Sequence, residues 1–452
     1  MHNTFYRSLR LDSVSHHSRT LHQPCRVLLS PLFAHRCCLS TSLSSKRSKF
    51  RHFHGPSHLP SFSTRTMTSS DAVKLSKFLK AMDWVYGPFP APDDPNLAEW
   101  VPAPLVEAHR GRYLWTDGFA VVNFLTLYKL THEDRYLTCA RNLVFTVHNV
   151  LGYTRDGKER LPGATEEKPL DGGLRIGKLD EAGPDGDGQY FHYLTVWMHA
   201  LNRMTSVTGN KWYNDQAVSM AKAVLFRFMT NVSAKRPRMF WKLAMDLSRP
   251  LVHSEGNLDP IDGYVMYKRL QETSDNHHVL DEEIAALKKI VDDKVEDYSS
   301  LDPLDLGMTL WTVHWLVPEP TWPLSGQWPA KLQYRAYNHL LYAAKRFGLF
   351  NNPHEKRLAF REFGAALGLR TVVPLIDKMA EGASPTDRED PKTIESLNAM
   401  KAMPDQILKG WEDAGLVPVP TKKVDRREAE LSSITAVMYA TALIPGVMVR
   451  QP

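Results

Sequence analysis

Three aspartates in this chain begin nearly the same phrase: Asp117-Gly118-Phe119, Asp187-Gly188-Gln189-Tyr190 and Asp262-Gly263-Tyr264. A fourth, Asp305-Leu306-Gly307-Met308, is a looser copy. Each stands before or at the start of an apolar run with helical spacing. If those runs are parallel helices, several carboxylates gather at one end. One acid can then protonate a leaving oxygen while another activates water or attacks carbon. Asp-Gly is also a turn dipeptide, and Asp is a preferred cap at the positive end of a helix. Each acid taken alone therefore reads equally well as a terminus residue. Asp117 and Asp187 are the candidate acid pair, with Asp262 as the third choice. The two phrases are not strict repeats, since internal alignment sets Asp117 against Leu194, two helical turns beyond Asp187.

Aromatic rings can stack on the apolar faces of a sugar, and several lie close to these acids. Trp115, Tyr190, His192 and Tyr193 border the first two phrases, while Trp311, His314 and Trp315 lie in WTVHW after the fourth. Trp322 and Trp328 follow in PEPTWPLSGQWPAK. Core packing is the alternative reading for all of them. His253 and Glu255 precede Asp262 on one loop and could act as an acid–base pair. The segment 170–193 adds Asp171, Asp180, Glu181 and Asp185 among glycines, but without the spacing of a calcium loop. We expect no metal and no organic cofactor. The DDxxE string in VDDKVED reads as the solvated face of an outer helix. No Walker loop, nucleophile elbow or HExxH is present.

The elements that would position these residues come in pairs. LTHEDRYLTCARNLV (130–144) and VTGNKWYNDQAVSMA (207–221) align on Thr131 and Thr208, which puts Tyr136 on Tyr213 and Ala140 on Ala217. An apolar helix precedes each, FAVVNFLTLYKL in one and YFHYLTVWMHALNRM in the other, and an amphipathic helix follows. Further pairs can be traced to the C-terminus, where SSITAVMYATALI finds its partner in AVKLSKFLKAMDWVYG (72–87) and closes a ring. No stretch alternates as a strand does. The class is all-α, with about six helical hairpins.

This hairpin pattern resembles the six-hairpin glycosidase superfamily, over roughly residues 72–450, and WTDGF is similar to a segment of unsaturated glucuronyl hydrolases. The resemblance implies an (α/α)6 toroid. It further implies a glycoside hydrolase acting on a carbohydrate or uronide by Asp acid–base catalysis in a central funnel. Two alternatives stand beside it: a non-catalytic toroid serving as a binding or scaffold protein, and a sugar 2-epimerase using paired histidines, here His192 and His314.

Composition sets the outer bounds. The net charge is +6, but residues 1–66 hold ten Lys/Arg and one acid, which leaves residues 67–452 near −3 and argues against a nucleic-acid partner. Of the cysteines, only Cys139 lies beyond the leader. We expect residues 1–66 to be a disordered leader and residues 67–452 a single domain. The leader resembles a mitochondrial transit peptide; alternatively Met67 is the start and the protein is cytosolic. Secretion is not expected, nor is a membrane span, because no apolar run approaches the required ~20 residues.

Overall fold

The computed structural model describes residues 68–183, 185–317, 327–382, 391–421 and 431–450. The leader and Trp322 lie outside the described residues. Ser69–Pro452 forms one compact unit. Its helices are α1 (Ser69–Tyr86), α2 (Leu114–Thr131), α3 (Asp134–Leu151), α4 (Phe191–Thr208), α5 (Trp212–Phe228) and α6 (Asp259–Thr273). They continue with α7 (Asp281–Asp297), α8 (Pro303–Val313), α9 (Trp328–Phe347), α10 (Ala359–Gly382), α11 (Pro391–Asp413) and α12 (Ser432–Leu443).

The even-numbered helices form the inner ring. Each packs on the next, α2 on α4, α4 on α6, α6 on α8, α8 on α10, α10 on α12, and α12 returns to α2. The outer helices pack as hairpin partners: α3 on α2, α5 on α4, α7 on α6, α9 on α8, α11 on α10 and α1 on α12. This explains why α2 is apolar on every side. Its residues from Leu114 to Leu127 are all buried, because other helices surround it. Its two polar breaks seal the ring. Asn123 Nδ2 donates to Val437 O at 3.0 Å, Thr441 Oγ1 donates to Asn123 Oδ1 at 2.9 Å, and Thr126 Oγ1 accepts Val447 N–H at 3.2 Å. A buried amide pays its desolvation only when it is fully paired, so these bonds fix which helices meet at the seam.

The repeated threonines perform one task twice. Thr131 Oγ1 donates to Leu127 O and accepts Glu133 N–H, while Thr208 Oγ1 donates to Met204 O and accepts Asn210 N–H. The next residue is left-handed in both hairpins, His132 at φ 58° and Gly209 at φ 72°. Glycine takes that conformation without strain and ends α4 as a helix commonly ends. The Asp-Gly phrase also has a packing role, because a Cβ on Gly118 would stand 2.9 Å from Val196 Cγ1 of α4. Here the glycine serves contact between inner helices.

Two small antiparallel ribbons were not expected from the sequence pattern. Strand β1 (Gln189–Tyr190) pairs with β4 (Lys242–Leu243), and β2 (Met229–Thr230) pairs with β3 (Arg238–Met239). At two residues each, they are too short to show alternation. No described helix is long and apolar enough to cross a membrane.

Candidate active site

The first two inner helices hold their acids in sealed positions. Asp117 lies inside the first turn of α2 and is fully buried. Tyr86 OH donates to its Oδ1 at 2.8 Å, Tyr113 N–H donates to Oδ2 at 3.2 Å, and Arg112 Nη1 stands 3.4 Å away. Burial raises its carboxyl pKa, opposed first by the charge of Arg112. Asp187, four residues before α4, is more heavily bonded. Arg155 Nη1 at 2.8 Å and Arg175 Nη1 at 3.0 Å share Oδ2, while Gly177 N–H at 2.9 Å and Gly188 N–H at 3.0 Å meet Oδ1. With its lone pairs occupied and its side chain shut from water, this carboxylate pins a loop. Asp117 and Asp187 have no hydrogen-bonding partner in common, and neither has one in common with Asp262.

Two of the neighbouring loop acids are also engaged, while Asp180 and Glu181 are exposed. Asp171 accepts from Ser219, Asp185 pairs with Lys178, and Gln189 ties the loop back to Gly172 O and Met245 O. His253 is exposed. Glu255 pairs with Arg238 at 2.5 Å and Lys294 at 3.5 Å, so these two do not form the acid–base pair expected on that loop.

Acids on α6 and α8 lie near one another, whereas the expected gathering of Asp117 and Asp187 with Asp262 is not seen among their hydrogen-bond partners. Asp262 is in the first turn of α6, and its Oδ1 accepts from Thr312 Oγ1 at 2.5 Å. Burial drives its pKa well above the usual carboxylate range, and the charges of Asp259 and Asp305 push the same way against the Thr312 hydrogen bond. Asp259, one turn earlier on α6, has Oδ1 at 3.1 Å from His192 Nδ1. Asp305 accepts from Asn257 Nδ2 at 2.9 Å and is pushed up to about 6, chiefly by burial. Among the described residues no arginine or lysine pairs with Asp259, Asp262 or Asp305. No group of three or more His, Cys, Asp or Glu among the described residues is placed to hold a metal ion.

Aromatic residues pack around His192, the partner of Asp259. The His192 ring stacks on Tyr190 at 5.5 Å and meets Trp115 at 5.9 Å and Tyr193 at 4.8 Å edge-on. Tyr193 and Tyr113 join hydroxyls at 2.8 Å. Trp241, brought in by the β1–β4 ribbon, packs on Tyr190 at 5.2 Å.

Trp311, His314 and Trp315 occupy a different level from the rim expected for them. Thr312 reaches Asp262, and the His199 ring meets Trp311 at 4.9 Å and Trp315 at 5.6 Å. The end of α8 is therefore level with the first turn of α6 and the middle of α4. At 1.5 Å per residue, WTVHW begins about 9 Å below Asp305. With Thr195, Asp262, Val265, Met266 and Thr312, the two tryptophans line a narrow cavity and form the floor beneath the acids. Trp311 Nε1 donates to Met448 O at 2.8 Å. Both His314 nitrogens are engaged, Nδ1 with Trp311 O and Nε2 with Arg450 N–H at 3.1 Å. Burial holds its pKa down at about 3, and neither ring nitrogen is left free for a substrate.

Sequence reasoning passed over Asp259, Asn257 and Tyr113. For Asp259 a signal existed: Asp259-Pro260-Ile261-Asp262 starts a helix with Pro in its first turn and sets two acids three residues apart on one face.

No family model matches the chain, and no curated protein sequence matches it. Among solved structures it is similar to a GH76 alpha-mannanase of Bacteroides thetaiotaomicron, with TM-score 0.50 and 11% identity, over 82% of this chain and 95% of that one. A family 76 glycoside hydrolase from a bovine strain of the same species gives TM-score 0.51 and 11% identity, over 82% and 77%. At this identity the likeness is one of fold. The shared fold is an (α/α)6 helical toroid.

Proposed function

We propose that the protein is a carbohydrate-active enzyme, a glycoside hydrolase whose acid–base groups are Asp262 and Asp259. The observation that carries this reading is the contrast between these two carboxyls one helical turn apart. Asp262 is buried with its pKa driven well above the usual carboxylate range, while Asp259 is bonded to His192, which is partly open to solvent. Two acids with divergent environments are what acid–base cleavage of an acetal needs. Asp262 donates the proton to the leaving oxygen. Asp259 orients His192 through Nδ1, and the pair draws a proton from the attacking water. Trp115, Tyr190 and Tyr193 supply ring surface for the sugar, and Asp305 with Asn257 meets its hydroxyls. No cofactor enters these steps. The glycoside hydrolases of similar fold make a glycoside or uronide the substrate class to test first.

A non-catalytic sugar-binding toroid is the second reading, favoured by how little room the Trp311–Trp315 floor leaves below Asp262. Hydrolysis of aryl-glycosides and unsaturated uronides distinguishes them. We expect turnover in the parent, a fall of about 10²–10⁴-fold in Asp262→Asn and Asp259→Asn, and near-parental specific activity in folded Asp117→Asn. Turnover that survives both α6 substitutions removes the assignment. Sugar binding without turnover leaves the scaffold reading.

A further inference from the structure

Beneath Trp315 the electrostatic character of the barrel reverses. Arg203 of α4 and Arg269 of α6 both lie over the Trp315 indole, with guanidinium carbons 5.0 Å and 4.6 Å from the ring centroid. Arg450 arrives from the C-terminal segment and donates to the carbonyls of Val317 and Trp315. Arg269 meets Glu272 at 3.1 Å. Among the described residues, Arg203 and Arg450 meet no carboxylate. Arg203 Nη2 donates to the Asn202 side chain, but its Nε is closed off from solvent without an acceptor. One turn above, buried His199 has Nε2 without a partner and lays its ring against Trp315. Burial and the charge of Arg269 pull the Arg203 pKa down to about 9.

Guanidinium groups converging on one ring repel each other, and donors shut from water lose their solvation. An oxyanion with two adjacent oxygens relieves both costs, because it accepts in the fork geometry that arginine offers. We propose that the base of the toroid is a small-oxyanion site, in which Arg203, Arg269 and Arg450 around Trp315 bind a carboxylate or phosphate group. It lies about 10 Å further along α6 than Asp262, counted to Arg269, and is separated from the acid basin by the tryptophan floor. Its occupancy is readable without any catalytic assay.

The test is thermal unfolding and tryptophan fluorescence of the full chain, titrated with inorganic phosphate or acetate against chloride at matched ionic strength. A saturable rise in Tm is expected, about 1–3 °C at tenfold excess over Kd, together with a saturable fluorescence change from Trp315. Response to either anion supports the site, and their order tells phosphate from carboxylate. Arg203→Gln and Arg269→Gln should each lower affinity at least tenfold, whereas Asp262→Asn should leave it intact. If Arg203→Gln does not fold, Arg203→Lys serves instead. No effect beyond chloride overturns the proposal, as does an effect that persists in both arginine variants.

Discussion

The acids of α2 and α4 and the acids of α6 and α8 are the same residue type in similar phrases, yet their surroundings are opposite. Arg112 stands beside Asp117, and Arg155 and Arg175 both close on Asp187. Among the described residues no such cation reaches Asp259, Asp262 or Asp305, which meet a histidine, a threonine and an asparagine. A buried carboxylate with arginine partners is structural, because removing it strands cations in the interior. A buried carboxyl without one keeps its proton or is available to exchange it. What separates the two halves of the ring is the placement of three arginines.

This contrast can be tested by removing the acids in turn. Asp187→Ala should have the largest effect, about 3–5 kcal/mol in urea unfolding, since Arg175 is buried and would lose its counter-ion. A loss under ~1 kcal/mol would mean that the loop does not depend on the ion pair. Asp117→Ala should cost somewhat less, about 2–3 kcal/mol, because a single arginine loses its counter-charge and the Tyr86 hydroxyl its acceptor.

Asp305 gives a pH signature. With its carboxyl pushed up to about 6, the folded chain binds this proton more tightly than the unfolded one, where aspartate titrates near ~4. Below about pH 4 both states are protonated. As pH rises from about 4 to about 6, only the unfolded carboxyl ionises, so this group's contribution to stability is lost over that window. Asp305→Asn should abolish that slope and gain on the parent by on the order of 2–3 kcal/mol by about pH 7. Parallel stability–pH curves would refute the raised pKa.

The smallest effect belongs to Thr312→Val. It should cost about 0.5–1.5 kcal/mol and, by deleting the bond that lowers the Asp262 pKa, move the alkaline limb of activity upward. A downward move would mean that Thr312 is not the group stabilising the ionised form.

Much of the architecture was legible in the chain because helical hairpins leave periodic traces. The threonines 77 positions apart align in sequence and make the same bonds in space. The total burial of α2 follows from its lack of a polar face. The site was only partly legible. Asp262 lies near Asp259 and Asp305, whereas Asp117 and Asp187 carry the same local phrase and are paired with arginines. WTVHW has an evident pattern, but its depth depends on how far α8 is displaced against α6, which no local spacing records. The two-residue ribbons that deliver Trp241 are below the length at which alternation can be seen.

By itself, then, the sequence determined the helical class, the pairing of helices and the presence of acids and rings near the starts of inner helices. Those properties depend on periodicity and on residues a few positions apart. The tertiary structure alone decided which acid is neutralised, which keeps its proton, and which aromatic residues become floor instead of wall. The deciding partners are remote in the chain, as Thr312 is from Asp262 and Asp259 from His192. The electrostatics of a buried group are set by what closes around it.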